Sequence, residues 1–155
     1  MAIHKIDGVD AVDGSSTGIN SFPKKFVTLY CTAAVTAGRW VSIHATDDEN
    51  GLGASVVLAP VGPSSTASNA ATFGIATETT TAAGNLRVQT AGKYENAYVD
   101  GSTTVGLPLT GPLSGGTAGM ASLLAETTYG PVIGVALESD ATNLADVMII
   151  DQGFF

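Results

Sequence analysis

Short apolar runs separated by small polar turns follow one another along the chain, and the clearest pair lies near the C-terminus. Val and Ile dominate residues 130–138 and 144–151, while residues 139–143 between them are mostly Ser, Asp, Thr and Asn. β-Branched side chains favour the extended, pleated backbone of a strand. The pattern therefore predicts a β-hairpin at the centre of the core, closed by residues 139–143.

A stretch further upstream repeats this pattern. Residues 73–90 also form two apolar runs around a polar turn, and Gly74–Glu78 (Gly-Ile-Ala-Thr-Glu) mirrors Gly134–Glu138 (Gly-Val-Ala-Leu-Glu). We therefore predict a second hairpin of the same kind. Glu78 and Glu138 fall at equivalent places, and paired carboxylates can do acid–base work. Their repeat position alone explains the match, and it favours two solvent-facing side chains at the ends of strands.

Other runs have the length and composition of strands, with Gly-containing turns between them. Residues 105–120 are rich in Gly and Pro, which predicts an edge strand or an extended loop. Residues 120–126 could form one helical turn, or equally a strand. Many short strands with turns between them predict an all-β fold, a small β-barrel or sandwich of short antiparallel strands. The further predicted strands are residues 26–34, 39–44, 55–59 and 94–99, with turns at 37–38, 91–93 and 100–101.

The start of the chain differs from the rest. Residues 1–22 are rich in Asp, Gly, Ser and Asn and carry only scattered apolar positions. Pro23 favours an extended conformation at Phe22, which marks the entry to the folded part. We therefore predict an irregular N-terminal arm over residues 1–25 and a β-barrel or sandwich domain over residues 26–155. The arm is either a frayed tail or a segment that becomes ordered on a neighbouring molecule.

Charge narrows the possible partners. Charged residues make up 13% of the 155-residue chain, and the net charge is −8. An acidic chain lacks the basic face that binds nucleic acid, and it is not attracted to an anionic membrane. No run reaches the ~20 apolar residues of a membrane span. The N-terminus also lacks the apolar core of a secretory signal. We expect a protein made and kept in a cytoplasm, or one that leaves it inside an assembly. The sparse charge indicates a surface covered by copies or partners, or one that is polar but uncharged.

Residues that could carry chemistry are scattered. His4 and His44 have no partners at metal-ligand spacing. Residues 47–51 lack the alternating ligands of a calcium loop, and residues 114–116 lack the Gly-x-Ser-x-Gly pattern of a hydrolase. Cys31 lies in an apolar run, which predicts a buried, inert thiol. The sequence therefore predicts no metal site, no cofactor and no enzymatic activity.

Aromatic side chains leave one alternative open. Trp40, Tyr94 and Tyr98 could form a platform on which sugars stack, but such residues more often fill a core or a subunit interface. Phe154 and Phe155 end the chain. They would form an exposed apolar patch unless they pack on their own domain or on a neighbour.

The chain resembles the small, acidic, Gly/Ala/Thr-rich decoration proteins, or capsid cement proteins, on the heads of tailed bacteriophages. The resemblance covers roughly residues 34–150. It rests on Gly74-Ile75-Ala76, on Gly106–Leu109 leading to Gly115-Gly116, and on Gly134–Glu138. It implies a homotrimer on the outer surface of a virion capsid, assembled in the host cytoplasm, that binds the major capsid protein. The family has no catalytic residues to carry over.

Given that resemblance, we expect both ends of the chain to supply contacts with the capsid or with other subunits. Lys5, Lys24 and Lys25 hold half of the six basic residues. The expected contact residues are Ile3, Lys5, Ile6, Phe22, Lys24, Lys25, Phe154 and Phe155. A viral tail or surface module that binds host glycan through Trp40 and the tyrosines is the alternative function.

Overall fold

The structure is a computed structural model that describes residues 23–44, 55–60, 72–113, 116–124, 130–139 and 142–151. These residues form nine β-strands and contain no helix, so none of them forms a helix that could cross a membrane. The all-β prediction is confirmed. The strands are β1 (Lys25–Cys31), β2 (Trp40–His44), β3 (Ser55–Leu58), β4 (Thr72–Ala76), β5 (Gly84–Asp100), β6 (Pro108–Thr110), β7 (Ala121–Leu123), β8 (Gly134–Ala136) and β9 (Leu144–Ile149).

Two closed rings of five strands share β5. In the first barrel the order is β1-β3-β2-β4-β5, and β5 pairs back with β1. In the second barrel the order is β5-β7-β6-β8-β9, and β9 pairs back with β5. Each ring contains one parallel pairing, β1 with β3 and β5 with β7, and its other four pairings are antiparallel. Closure leaves neither ring with an unpaired edge.

The two barrels have the same topology, strand for strand. The last two strands of each barrel show this equivalence best. Ala76 lies opposite Val88 between β4 and β5, and Ala136 lies opposite Val147 between β8 and β9. Gly74 takes the same place as Gly134, since each packs against the backbone carbonyl of the next strand. The predicted echo between the two hairpins is therefore one part of a tandem repeat of the whole barrel.

The long strand β5 belongs to both barrels because each of its halves pairs with strands of a different barrel. Its first half pairs with β1 and β4, and its second half pairs with β7 and β9. Gly92 lies at the changeover with φ +89°, where a side chain would be strained and would meet Pro23 and Lys24. The predicted turn at residues 91–93 is wrong. Ala91-Gly92 gives a local irregularity inside one 17-residue strand, not a reversal.

Each barrel has its own apolar interior, and equivalent positions fill both. Cys31 in the first barrel corresponds to Val99 in the second, since they pair with the matching residues Val56 and Ala121. Three buried side chains of the first barrel belong instead to the core of the second. They are Trp40, Ala59 and Ile75, and they join the two barrels into one packed unit. The interior of the first barrel is Cys31, Val35, Val41, Val56, Phe73, Ala76, Leu86 and Val88.

The Gly/Pro-rich stretch is more regular than its composition indicates. Pro108–Thr110 is strand β6, and it lies between β7 and β8 with pairing on both sides. The expectation of an edge strand or loop is wrong there. Pro is tolerated because it occupies the first position of the strand, where the missing N–H breaks no ladder within the barrel. Of the two alternatives for residues 120–126, Ala121–Leu123 is a strand.

Candidate assembly surfaces

The contact between the barrels is built from one face of the first. We call it the junction face and define it as Arg39, Trp40, Ala59 and Ile75. Trp40, Ala59 and Ile75 are completely buried. The Trp40 indole N–H donates to the Tyr98 carbonyl at 3.1 Å. Burial of a large aromatic ring with its polar edge satisfied makes this a strong apolar contact.

Backbone hydrogen bonds reinforce the junction. The Trp40 N–H donates to the Gly119 carbonyl at 2.9 Å, and the Gly119 N–H donates to the Ala59 carbonyl at 2.8 Å. The Tyr98 N–H donates to the Gly38 carbonyl at 3.0 Å. The second barrel thus adds backbone pairing to one side of the first as well as side-chain packing.

Arg39 closes the rim of the junction. Its guanidinium lies 4.1 Å from the centre of the Tyr98 ring, and Nη1 donates to the Ala118 carbonyl at 3.1 Å. A cation over an aromatic face is attracted by the ring quadrupole. A shallow cavity of about 330 Å³ lies beside it, and Arg39 is the charged side chain in its lining, already engaged in both contacts. The lining is Ala34, Val35, Thr36, Arg39, Leu58, Thr117 and Ala118.

The aromatic residues do not form the sugar platform considered from the sequence. Trp40 is 0% exposed, the ring of Tyr98 is covered by Arg39, and the Tyr94 hydroxyl donates to the Ala76 carbonyl at 3.2 Å. Burial raises the pKa of Tyr94, and a backbone hydrogen bond from Gly38 partly offsets the rise. The three residues join the barrels, which is the other interpretation that the sequence allowed.

Both ends of the described chain meet beside the middle of β5. Lys25, the first residue of β1, pairs with Ala91, and Ile149, near the end of β9, pairs with Gly92. An ion pair between Lys25 and the Asp151 carboxylate joins the two strand ends. The first and last strands of the described chain, which begin at Lys25 and end at Ile149, therefore meet in one region, which we call the terminal face.

The terminal face carries part of the contact set expected from the sequence. Lys24 is exposed there, and Lys25 is engaged with Asp151. Lys25, expected to close the arm, already belongs to β1. The other expected contact residues lie outside the described residues, and their role stays a prediction. They are Ile3, Lys5, Ile6, Phe22, Phe154 and Phe155.

Glu78 and Glu138 each hold their own hairpin closed. Glu78 Oε1 accepts the N–H of Arg87 at 2.9 Å, and Glu138 Oε1 accepts the N–H of Asp146 at 2.8 Å. Both glutamates are exposed, as predicted. The two carboxylates therefore make the same structural hydrogen bond in the two barrels.

Replacing Glu78 or Glu138 with Ala is expected to cost about 1 kcal/mol of unfolding free energy each, because each removes a charge-assisted hydrogen bond at an exposed site. The double variant should lose about the sum, since the two sites share no partner. Urea denaturation followed by circular dichroism measures all three. A Thr79→Ser variant, which keeps the hydroxyl that accepts the Ala37 N–H, serves as the matched turn control. A loss at one glutamate only would contradict the structural equivalence of the hairpins.

Cys31 and Lys93 both make structural contacts. Cys31 is buried, as predicted, and its thiol donates to the Gly84 carbonyl at 3.1 Å. The Lys93 ammonium lies 2.7 Å from the Asp146 carboxylate, and this hydrogen bond raises the pKa of Lys93. Among the described residues, no three His, Cys, Asp or Glu side chains come together as metal ligands. His4 and residues 47–51 lie outside the described residues, as does the His44 side chain.

The second barrel carries an exposed apolar surface that the sequence analysis does not predict. Val105 is 59% exposed, Leu107 40% and Leu137 36%. Backbone hydrogen bonds hold them together, since the Gly106 N–H donates to Ala136 at 2.8 Å and the Ala136 N–H donates to Leu107 at 3.0 Å. Together with Pro108, Leu124 and Val135, which are partly buried, these residues form what we call the open face. Aligning the two halves of the sequence around Gly38 and Gly106 is the signal that could have found it.

The architecture therefore defines an all-β protein of two fused five-stranded barrels, without a clustered set of catalytic or metal-binding side chains in the described part. No protein-family model matches the chain, and no curated protein matches it.

The same fold occurs in a solved phage protein, the N base of head fiber gp8.5 of bacteriophage phi29. The two chains share 15% sequence identity with a TM-score of 0.54. The alignment covers 82% of this chain and 94% of the phage domain. The all-β barrel fold predicted from the sequence is thus found in a head fiber protein of a bacteriophage.

Proposed function

We propose that this chain is a structural protein of a phage virion that decorates the outer surface of the capsid and stabilises it. The carrying observation is the shared fold with a head fiber base, over nearly the whole of that domain. The sequence features that resemble decoration proteins point to the same part of a virion. The proposed partners are the major capsid protein and further copies of the chain, as a homotrimer, and the role needs no cofactor or catalysis.

The physical properties of the chain suit this role. The two closed barrels have buried cores and pack on each other, and the first and last described residues lie near one another at the terminal face. Arms from such a face can add weak contacts at every copy on a lattice, and repetition then gives high overall avidity. Low surface charge limits the cost of desolvating the contacts. The glycan-binding alternative has less support, because Trp40 is buried and Tyr98 is covered.

Binding to purified heads that lack the protein tests the proposal. The full chain should saturate the heads, measured by sedimentation and mass spectrometry of the particles. Deleting residues 1–20 should reduce occupancy strongly, because the arm is proposed to supply capsid contacts. Deleting residues 152–155 provides the companion variant for the C-terminal end. Circular dichroism of both variants establishes that the barrels remain folded.

Failure of the full chain to bind any head would remove the capsid role, and unchanged occupancy after the deletion would remove the role of the arm. A saccharide titration followed by the fluorescence of Trp40, the sole tryptophan, separates the alternative. A capsid protein should give no response. A saturable change would favour the glycan module.

A further inference from the structure

The open face of the second barrel is the counterpart of the junction face of the first. Trp40 pairs with Ile75 between β2 and β4, and Pro108 pairs with Val135 at the same place between β6 and β8. The Ala59 N–H donates to Trp40, as the Leu124 N–H donates to Pro108, both at 2.9 Å.

The exposed members of the open face correspond in the same way. The Ala76 N–H donates to Arg39 at 2.9 Å, and the Ala136 N–H donates to Leu107 at 3.0 Å. Arg39 therefore corresponds to Leu107. Two more correspondences follow from matching hydrogen bonds: Ala37 with Val105, through Thr79 and Ser139, and Thr77 with Leu137, through Arg87 and Asp146.

At all three positions the residue of the second barrel is more apolar than its counterpart in the first. Ala37, Arg39 and Thr77 of the first barrel become Val, Leu and Leu in the second. Ala37, Arg39 and Thr77 are partly buried, and Arg39 contacts the second barrel, whereas Val105, Leu107 and Leu137 are exposed. Single exposed apolar residues are ordinary, but a contiguous group marks a contact surface. The second barrel thus carries a more apolar version of a surface that already binds a barrel of this kind.

The chain also carries a match for the other side of the contact. The junction face rests on Tyr98, which precedes Val99 in β5, and its counterpart in the first barrel is Tyr30, which precedes Cys31 in β1. Tyr30 is half-buried, and Thr28, on the same side of the strand, is exposed. We call Thr28 and Tyr30 the tail face. The first barrel therefore presents, on the outer side of β1, the residue type that receives Arg39 inside the molecule.

We propose that the open face binds the tail face of a second copy of this chain, repeating between molecules the contact that joins the two barrels within one. The contact is head-to-tail, so copies close into a ring or extend as a filament according to the rotation between them. It deepens the self-association in the proposed function and names its surfaces, but it rests on the internal repeat and not on capsid binding.

The intermolecular contact should be weaker than the internal one. Inside the molecule the Trp40 N–H donates to Gly119, but its counterpart Pro108 has no N–H to donate. Trp40 also fills space that the smaller Pro108 leaves open. In the contact between molecules, burial of the exposed apolar side chains takes the place of the Trp40 hydrogen bond and packing. The two barrels are then on separate chains, so no covalent connection raises their effective concentration. Association should therefore depend on protein concentration.

Sedimentation velocity and native mass spectrometry of the purified full chain, without heads, test the proposal. The wild type should show oligomers that grow with concentration up to about 100 µM. Val105→Asp combined with Leu107→Asp should raise the dissociation constant by at least about 10-fold, since it buries two unpaired carboxylates in the contact. Ala82→Asp combined with Ala83→Asp adds the same charge at an exposed turn of the first barrel and should leave the mass distribution unchanged.

Mixing two defective variants tests the head-to-tail geometry. Thr28→Glu combined with Tyr30→Glu should also be monomeric, but mixed with the Val105→Asp, Leu107→Asp variant it should form dimers that grow no further, because one intact contact is available. Thr28→Glu alone serves if the half-buried Tyr30 cannot be changed without unfolding. A monomeric wild type, an open-face variant with wild-type mass, or a mixture that stays monomeric would overturn the proposal. Head binding by a monomeric wild type would then leave the proposed function standing without this contact.

Discussion

Replacing Trp40 with Ala is expected to lower the unfolding free energy by about 3–5 kcal/mol, the usual cost of removing a fully buried large aromatic side chain. The indole ring lies in the junction between the barrels and belongs to the core of the second. Its removal leaves a cavity there and also an unpaired Tyr98 carbonyl. Urea denaturation followed by far-ultraviolet circular dichroism measures the loss, because the variant has no tryptophan fluorescence.

Two variants calibrate this result. Trp40→Phe keeps most of the ring volume and should recover more than half of the loss. Phe26→Ala removes an aromatic ring that is 40% exposed and stacks on Arg87. It should cost about 0.5–1 kcal/mol, the value of an exposed cation–π pair. If Trp40→Ala were no more harmful than Phe26→Ala, the junction would not be a packed interface.

Replacing Gly134 with Ala is expected to cost about 1–3 kcal/mol through overpacking. A Cβ there would lie 2.8 Å from the Met148 carbonyl oxygen and 3.2 Å from Trp40. Gly74 should behave alike, because its Cβ would lie 2.7 Å from the Gln89 carbonyl oxygen and 2.6 Å from Val88. Backbone atoms cannot move aside as the end of a flexible side chain can, so the strands must separate locally. Thermal and urea unfolding both report the change.

Gly84→Ala is the matched control for these substitutions. Gly84 also begins a strand segment of a hairpin, but no other part of the chain lies within 4 Å of the position that its Cβ would occupy. Ala there should be neutral or should stabilise by up to about 1 kcal/mol, because it restricts the unfolded chain. Equal stability of the Gly134→Ala and Gly84→Ala variants would contradict the close strand packing at Gly134.

The fold class and the hairpins could be predicted from local patterns. β-Branched residues around polar turns identify the hairpins, and Gly74–Glu78 against Gly134–Glu138 shows the repeat. The path of β5 could not be predicted in this way. Ala91-Gly92 has the composition of a turn, and β5 continues through it because β1 and β9, far away in sequence, pair with it on either side of this point. Tertiary pairing there overrides local preference.

The candidate surfaces depend still more on long-range structure. Charge predicts Lys24 and Lys25 as contact residues, and the structure adds that the ion pair of Lys25 with Asp151 brings the last described residues beside them. The sequence favours a core or interface over a sugar platform for the aromatic residues only on general grounds, because burial of Trp40 depends on a second barrel that its local sequence does not reveal. The open face can be recognised only from the strand register, which shows that Leu107 occupies the position of Arg39 in the other barrel.

The sharing of β5 has a consequence for how the molecule comes apart. A cut at Ala91-Gly92 would leave each ring its own half of β5, but it would break the one strand that runs through both rings. The second barrel would also still depend on Trp40 of the first to complete its core. Fraying of one ring therefore withdraws support from the other, and the two should melt in a single cooperative step. The amide protons slowest to exchange with solvent should lie along this strand, where hydrogen-bonded neighbours flank both halves.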